Sequence, residues 1–343
     1  MGLNLLFTCA GRRNYLINYF KEAIKGQGQI FAADMSNTAP AMVDADVSII
    51  VPSIYDANYI ESLKAIAITH KIDAIISLND LELPILSKHK SDLESTGAKV
   101  IISSETVIDI AFDKMKTVDF IHSIGLKTPQ TFTSLKAAKT ALDNEKIQFP
   151  LVVKPRWGSA SIGIDFPETE EELELAYRLQ HLKLKKSILH TASSHDLEHA
   201  ILIQEQINGQ EYGIDIVNDF NGNYFGTFVR KKLSMRSGET DKAESVIDEK
   251  FDAIGKTIAK NLKHVGNLDC DVFTCGNDTY ILELNPRFGG GYPFSHEAGV
   301  DTASIYIEWL KGHTEVSKFN QYQAGKVFSK CDRMLEIKPT NRK

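Results

Sequence analysis

Residues 266–292, Gly-Asn-Leu-Asp-Cys-Asp-Val-Phe-Thr-Cys-Gly-Asn-Asp-Thr-Tyr-Ile-Leu-Glu-Leu-Asn-Pro-Arg-Phe-Gly-Gly-Gly-Tyr, restrict the fold more than any other stretch. Two alternating runs, Leu268 to Thr274 and Thr279 to Leu284, flank the turn Cys275-Gly276-Asn277-Asp278 and read as an antiparallel hairpin. Alternation then allows Asp271, Glu283 and Asn285 to share one face, where their oxygens can converge on a cation. An oxygen donor set without His or Cys suits Mg²⁺, which keeps waters and takes further ligands from nucleotide phosphates. Arg287 follows on the same face, and its planar fork suits a phosphoryl group that gains charge during transfer. Pro286 ends the strand, and Gly289-Gly290-Gly291 lets backbone approach a ligand closely. A solvated polar face is the plain alternative for two acids on a hairpin.

A chain of 343 residues exceeds one ordinary core and calls for two or three packed units. Hydrophobic content of 43% with 24% charged residues is that of a globular protein, and a formal charge of −6 without a basic stripe argues against nucleic acid as a partner. The four cysteines, Cys9, Cys270, Cys275 and Cys331, form no zinc spacing and are expected as reduced thiols in the cytoplasm. Met1 to Phe7 enters a strand without the basic flank or cleavage site of a signal peptide. No apolar run approaches the ~18 residues of a membrane span, so no membrane association is expected.

From residue 3 to 108 short apolar runs alternate with helical ones. Leu3 to Thr8, Gln29 to Ala33, Ala74 to Ser77 and Lys99 to Ile102 read as parallel strands; Asn14 to Lys25, Tyr59 to His70 and Leu83 to Glu94 read as the helices between them. The pattern is that of a doubly wound α/β domain, whose ligands bind beyond the carboxyl ends of the strands. Cys9 to Arg13 and Leu78 to Glu82 lie there, and Arg12, Arg13 and Glu82 are candidate substrate contacts. The loop after the first strand lacks a full G-x-G-x-x-G, so a dinucleotide site is poorly supported.

Asp109 to Lys116 opens a helix that stops near Gly125. Phe149 to Pro155 is a strand in which Lys154 needs an anion or solvent, and Arg156 to Ile164 is a small-residue loop able to present N–H groups to phosphate or to form a hairpin turn. The segment 168–200 is polar and helical, with three histidines expected to be exposed. Ile201 to Asp215 gives strand, linker, strand, which either reads an adenine through its backbone or is an Asn-Gly hairpin. Tyr224 to Arg230 is a strand leading into a cationic loop, Lys231 to Glu239, with Arg230 and Arg236 as substrate candidates. Phe251 to His264 and Asp301 to Lys311 are helices.

Asp113-Lys114, Val152-Val153-Lys154-Pro155, the loop Gly158 to Gly163, the linker Gln204 to Ile207 with Glu211, and Asp271/Glu283/Asn285/Arg287 occur in an order that resembles the ATP-grasp superfamily, in particular the large chain of carbamoyl-phosphate synthetase. The resemblance implies a pre-ATP-grasp doubly wound domain (1–108), a linker helix with a lid subdomain (109–200), and a C-terminal subdomain with the metal hairpin (201–343). It implies ATP, with Lys114, Lys154, Ser159, Ser161 and Gly163 at the phosphates, Glu205 and Ile207 at adenine, and Glu211 at ribose. Asp271, Glu283 and Asn285 would hold Mg²⁺, two ions in all, with Mn²⁺ as a substitute; Arg287 and Lys154 would be catalytic. On the residues alone, Lys114 is equally a solvated lysine. Asp271 departs from the Glu or Gln common in relatives, and its shorter side chain can reach an ion through water. The implied activity is a carboxylate–amine ligase acting through an acyl phosphate, with small-molecule acid and amine as partners and a homodimer left open. A non-catalytic ATP-binding regulatory module is the alternative.

Overall fold

The computed structural model describes residues 2–158 and 162–337. Its first unit is a parallel sheet of β1 (Leu3–Thr8), β2 (Gly28–Asp34), β3 (Val47–Ile50), β4 (Ala74–Ser77) and β5 (Lys99–Ile101), in the order β3-β2-β1-β4-β5. Strand alternation builds both of its cores. Leu5 and Phe7 of β1 pack with Leu16, Ile17 and Phe20 of the helix Asn14–Ile24, while Leu6 turns to Tyr59, Leu63 and Leu86 on the other face. The strand β3 and the helix Pro40–Asp44 were not expected from the sequence. β3 is a four-residue strand at the edge of the sheet beside β2, with alternate residues exposed, so it carries little apolar signal.

Two expected helices are each divided. Leu83 to Glu94 breaks at His89 into Leu83–Lys88 and Lys90–Glu94. The helix expected from Asp109 is two helices, Glu105–Phe112 and Lys114–Ser123, separated at Asp113. There the backbone is extended, with φ −91° and ψ 107°, and the Asp113 carboxylate caps the second helix by accepting from Met115 N–H at 2.9 Å.

The second unit is a small antiparallel sheet of β6 (Thr131–Phe132), β7 (Leu151–Pro155) and β8 (Ile201–Glu205), ordered β6-β8-β7 and backed by the helices Leu135–Asp143 and Glu170–Leu184. This sheet therefore runs on to Glu205, past the division expected at residue 200. His195 is exposed, whereas His190 and His199 are half-buried, contrary to the expectation for all three.

The third unit is a six-stranded antiparallel sheet of β9 (Gln210–Asn218), β10 (Tyr224–Arg236), β11 (Glu239–Val246), β12 (Gly266–Cys275), β13 (Asp278–Asn285) and β14 (Val327–Ser329), ordered β13-β12-β9-β10-β11-β14. The expected cationic loop after Arg230 is instead the second half of β10, which turns only at Ser237 and Gly238. It looked like a loop because its inward positions are charged; Arg230 and Lys232 are buried among carboxylates rather than apolar groups. Helix Glu249–Leu262 covers one face of this sheet through Phe251, Ile254 and Ile258. Helix Thr302–Leu310 joins two cores: Ile305 packs with Val217 and Phe228 of this sheet, while Ala303, Tyr306 and Ile307 enter the core beneath the first sheet, against Phe20 and Phe288.

Candidate active site

A cavity of about 340 Å³ lies between the small sheet and the six-stranded sheet. The hairpin β12–β13 supplies its floor, with Asp271 opposite Glu283 and Asp269 opposite Asn285. Arg287 lines the same cavity, so the acid, amide and guanidinium groups do share a face. From the other side come Lys154 at the end of β7, Lys114 at the start of its helix, and the linker residues Gln204 to Ile207. Because β8 pairs with β7 and β9 with β12, the segment between them crosses from one sheet to the other and is not a hairpin.

Both lysines donate their hydrogen bonds to neutral oxygens. Lys114 Nζ donates to the Gly158 carbonyl at 2.7 Å and lies 3.5 Å from Glu283 Oε2. Lys154 is buried and donates to Gln204 Oε1 at 2.8 Å; Gln204 in turn donates to Thr131 Oγ1 at 2.7 Å. Burial, then the nearby Lys114 charge, pushes the Lys154 ammonium down to about 8. Burial opposes ionisation of Glu283, yet the charges of Lys114 and Lys154 prevail and hold it below the ordinary carboxylate range. Glu283 is thus a carboxylate that both ammonium groups share.

Arg287 Nη2 donates to Asp80 Oδ2 at 2.6 Å and Nη1 to the Phe288 carbonyl at 3.0 Å, with Asp269 3.6 Å away. Its buried Nε has no hydrogen-bond acceptor among the described residues. Lys232 bridges two of the expected ligand residues, at 2.6 Å from Glu211 and 2.7 Å from Asp271. Burial pushes Asp271 up to about 6, although Lys232 lies against it.

Other expected residues are placed differently. Arg230, expected to meet substrate, is fully buried between Asp215 at 2.6 Å and Asp269 at 2.5 Å. Glu82 is also fully buried; it accepts from Ser77 at 2.6 Å, Thr8 at 2.8 Å and the Tyr59 hydroxyl, which ties it into the first domain rather than to a ligand. Arg236 pairs with Asp332 and Asp241 at 2.7 and 3.0 Å. Arg12 and Arg13 line a neighbouring cleft, with Arg13 reaching this cavity as well. Gly163 has φ +75°, and a Cβ there would meet Gln180 Oε1 at 2.7 Å; it does not line the cavity, whereas Gly158 does. Ser159 and Ser161 lie outside the described residues.

Residues 5–101 match the PylC-like N-terminal domain family, and residues 111–291, more than half the chain, match the ATP-grasp domain family. The chain belongs to the ATP-grasp family. A carbamoyl phosphate synthase large chain from Campylobacter jejuni is 27% identical over 317 residues, 89% of this ATP-grasp chain but only 28% of that relative's length. The biotin carboxylase domain of the Hydrogenobacter thermophilus 2-oxoglutarate carboxylase, a dimer solved with MgADP, ADP and bicarbonate, superposes with a TM-score of 0.74 at 16% identity, covering 95% of this chain and 74% of that one. An L-amino acid ligase from Bacillus licheniformis does so with a TM-score of 0.70 at 19% identity, covering 94% and 79%. Both share the fold of this ATP-grasp chain.

Sequence reading gave four residues of the site no individual role. Asp269 and Lys232 could have been found by alternation, two positions from Asp271 and Arg230 on the same faces. Asp80 reaches Arg287 from the loop after β4, and Arg156 holds Asp113 with two bonds of 2.7 Å; these pairings join distant segments and leave no local trace. No helix among the described residues is long and apolar enough to cross a membrane.

Proposed function

We propose that this chain is an ATP-dependent ligase that activates a carboxylate and joins it to an amine. A carboxylate oxygen attacks the γ-phosphorus of ATP, the bond to the β-phosphate oxygen breaks, and ADP leaves. The amine nitrogen then attacks the carbonyl carbon of the acyl phosphate, inorganic phosphate departs, and the nitrogen loses a proton. The observation that carries this reading is the convergence of Lys114, Lys154, the linker, the acid–amide face and Arg287 on one cavity between two sheets.

Lys114 and Lys154 hold the nucleotide phosphates, Glu205 and Ile207 flank adenine, and Glu211 faces ribose. Arg287, whose two Nη atoms are held while its Nε–H is unmet among the described residues, neutralises charge on the transferring phosphoryl. No group of three or more His, Cys, Asp or Glu side chains able to hold a metal exists among the described residues. Glu283 and Asn285, oxygen donors that line the cavity with the Lys232-paired Asp271, fit an ion that arrives with phosphate oxygens, as Mg²⁺ does. When bound, Mg²⁺ would offset phosphate charge. A nucleotide-binding module without chemistry has less support, because Arg287 and the acid–amide face both line the cavity.

The test is incubation with Mg·ATP, a pool of carboxylic acids and hydroxylamine. ADP together with a hydroxamate is the expected outcome. AMP would overturn the reading, and ATP binding without either product would favour the silent module.

A further inference from the structure

A second cavity, of about 930 Å³, adjoins the first, and Arg13 and Glu239 line both. One wall is formed by Cys9 to Asn14 after β1 and Leu78 to Asp80 after β4. In the order β3-β2-β1-β4-β5 the chain passes from β1 to one side and resumes at β4 on the other, so these two loops flank the switch point where such sheets take ligands.

The charges on this cleft do not cancel locally. Arg236 is matched by Asp332 and Asp241, Lys330 by Glu239 at 3.2 Å, Arg333 by Asp44 at 3.2 Å, and Asp80 by Arg287. Glu297 is exposed and accepts from the Tyr19 hydroxyl at 2.8 Å. Arg12 has no ion pair or hydrogen bond among the described residues, and Arg13 has one hydrogen bond, from Nη1 to the Phe288 carbonyl at 2.5 Å. Two adjacent guanidinium groups thus face the cavity without a direct carboxylate partner among the described residues, because the carboxylates that feel their charge, Glu239 and Asp332, are bonded to Lys330 and Arg236. Their planar forks favour oxyanions over neutral groups.

We propose that the acid activated by this chain carries a second anionic group, carboxylate or phosphate, which Arg12 and Arg13 hold in this cleft while the reacting carboxylate lies at the junction with the nucleotide cavity. This rests on the ligase reading for the reaction, though not for the binding. The full chain is titrated calorimetrically with succinate, O-phosphoserine and butyrate. Binding of either dianionic probe at least tenfold tighter than butyrate is expected; succinate alone identifies a carboxylate subsite, O-phosphoserine alone a phosphate subsite. Arg12→Ala should remove the preference and Arg12→Lys restore part of it. Equal binding of butyrate, no binding of either dianion, or an unchanged preference in Arg12→Ala overturns the proposal. Turnover with hydroxylamine, measured in parallel, separates this from the ligase reading: AMP release with the preference intact would leave the anion subsite standing and remove the acyl phosphate.

Discussion

Arg230 shows how a residue that looks like a ligand contact can be a framework. Its guanidinium lies between Asp215 and Asp269, and Asp215 also accepts from Ser295 at 2.6 Å and Asn267 at 3.1 Å. Removing one member of a buried ion network leaves uncompensated charge, so Arg230→Ala should cost about 3–5 kcal/mol in chemical denaturation. Unchanged stability with a raised KM would return Arg230 to the substrate. His264 offers a pH test. It is fully buried, with Nε2 3.1 Å from the Ile216 carbonyl and Nδ1 3.4 Å from the Asn218 amide nitrogen, and burial pushes it down to about 4. Above pH 6.5 neither native nor unfolded chain protonates it. Below that the unfolded chain gains a proton that the native state refuses, so roughly 3 kcal/mol is lost between pH 6.5 and 4. His264→Gln should flatten the stability curve in this window relative to wild type.

The hairpin β12–β13 and the glycines after it act as one element. The glycine run was expected to admit a ligand, but a Cβ on Gly289 would lie 2.2 Å from Asp269 Cγ and one on Gly291 2.1 Å from Arg230 Nε. Two of the three glycines therefore make room for the chain's own charge network. Gly291→Ala must displace the Arg230 side chain and should lower stability by about 1–3 kcal/mol in thermal or denaturant unfolding. Gly290→Ala, whose Cβ would meet the Glu239 carboxyl carbon at 3.3 Å, should cost much less. The hairpin itself was legible because its apolar residues alternate. β10 beyond Arg230 was not, since inward charges imitate a solvated loop until their partners on β9 and β12 are known.

Across the whole molecule, the first and third units share a core. Phe20 meets Phe288 and Tyr306 with ring centroids 6.0 Å apart in both pairs, and Arg13 bonds the Phe288 carbonyl. The tie that reaches the site is Asp80–Arg287, at 2.6 Å with both side chains 7% exposed. It makes the placement of Arg287 depend on the parallel sheet. Asp80→Asn should lower kcat by roughly 100-fold, as for other small misplacements of a reacting group, while KM for ATP changes little. ADP release measures both, and a wild-type kcat would show that Arg287 is positioned by its own sheet alone.

The local periodicities of the chain determined four of the five strands of the doubly wound unit, the hairpin with its acid–amide face and the lysine-bearing β7, because each depends on neighbours within a few residues. Tertiary structure alone decided which charges are free. Glu82, Arg230 and Arg236 find partners in other elements, Thr8, Asp269 and Asp332, while Arg12 finds none among the described residues. A charged side chain reads the same in sequence whether it meets a ligand or a buried counter-ion, and only the packing of distant strands distinguishes the two.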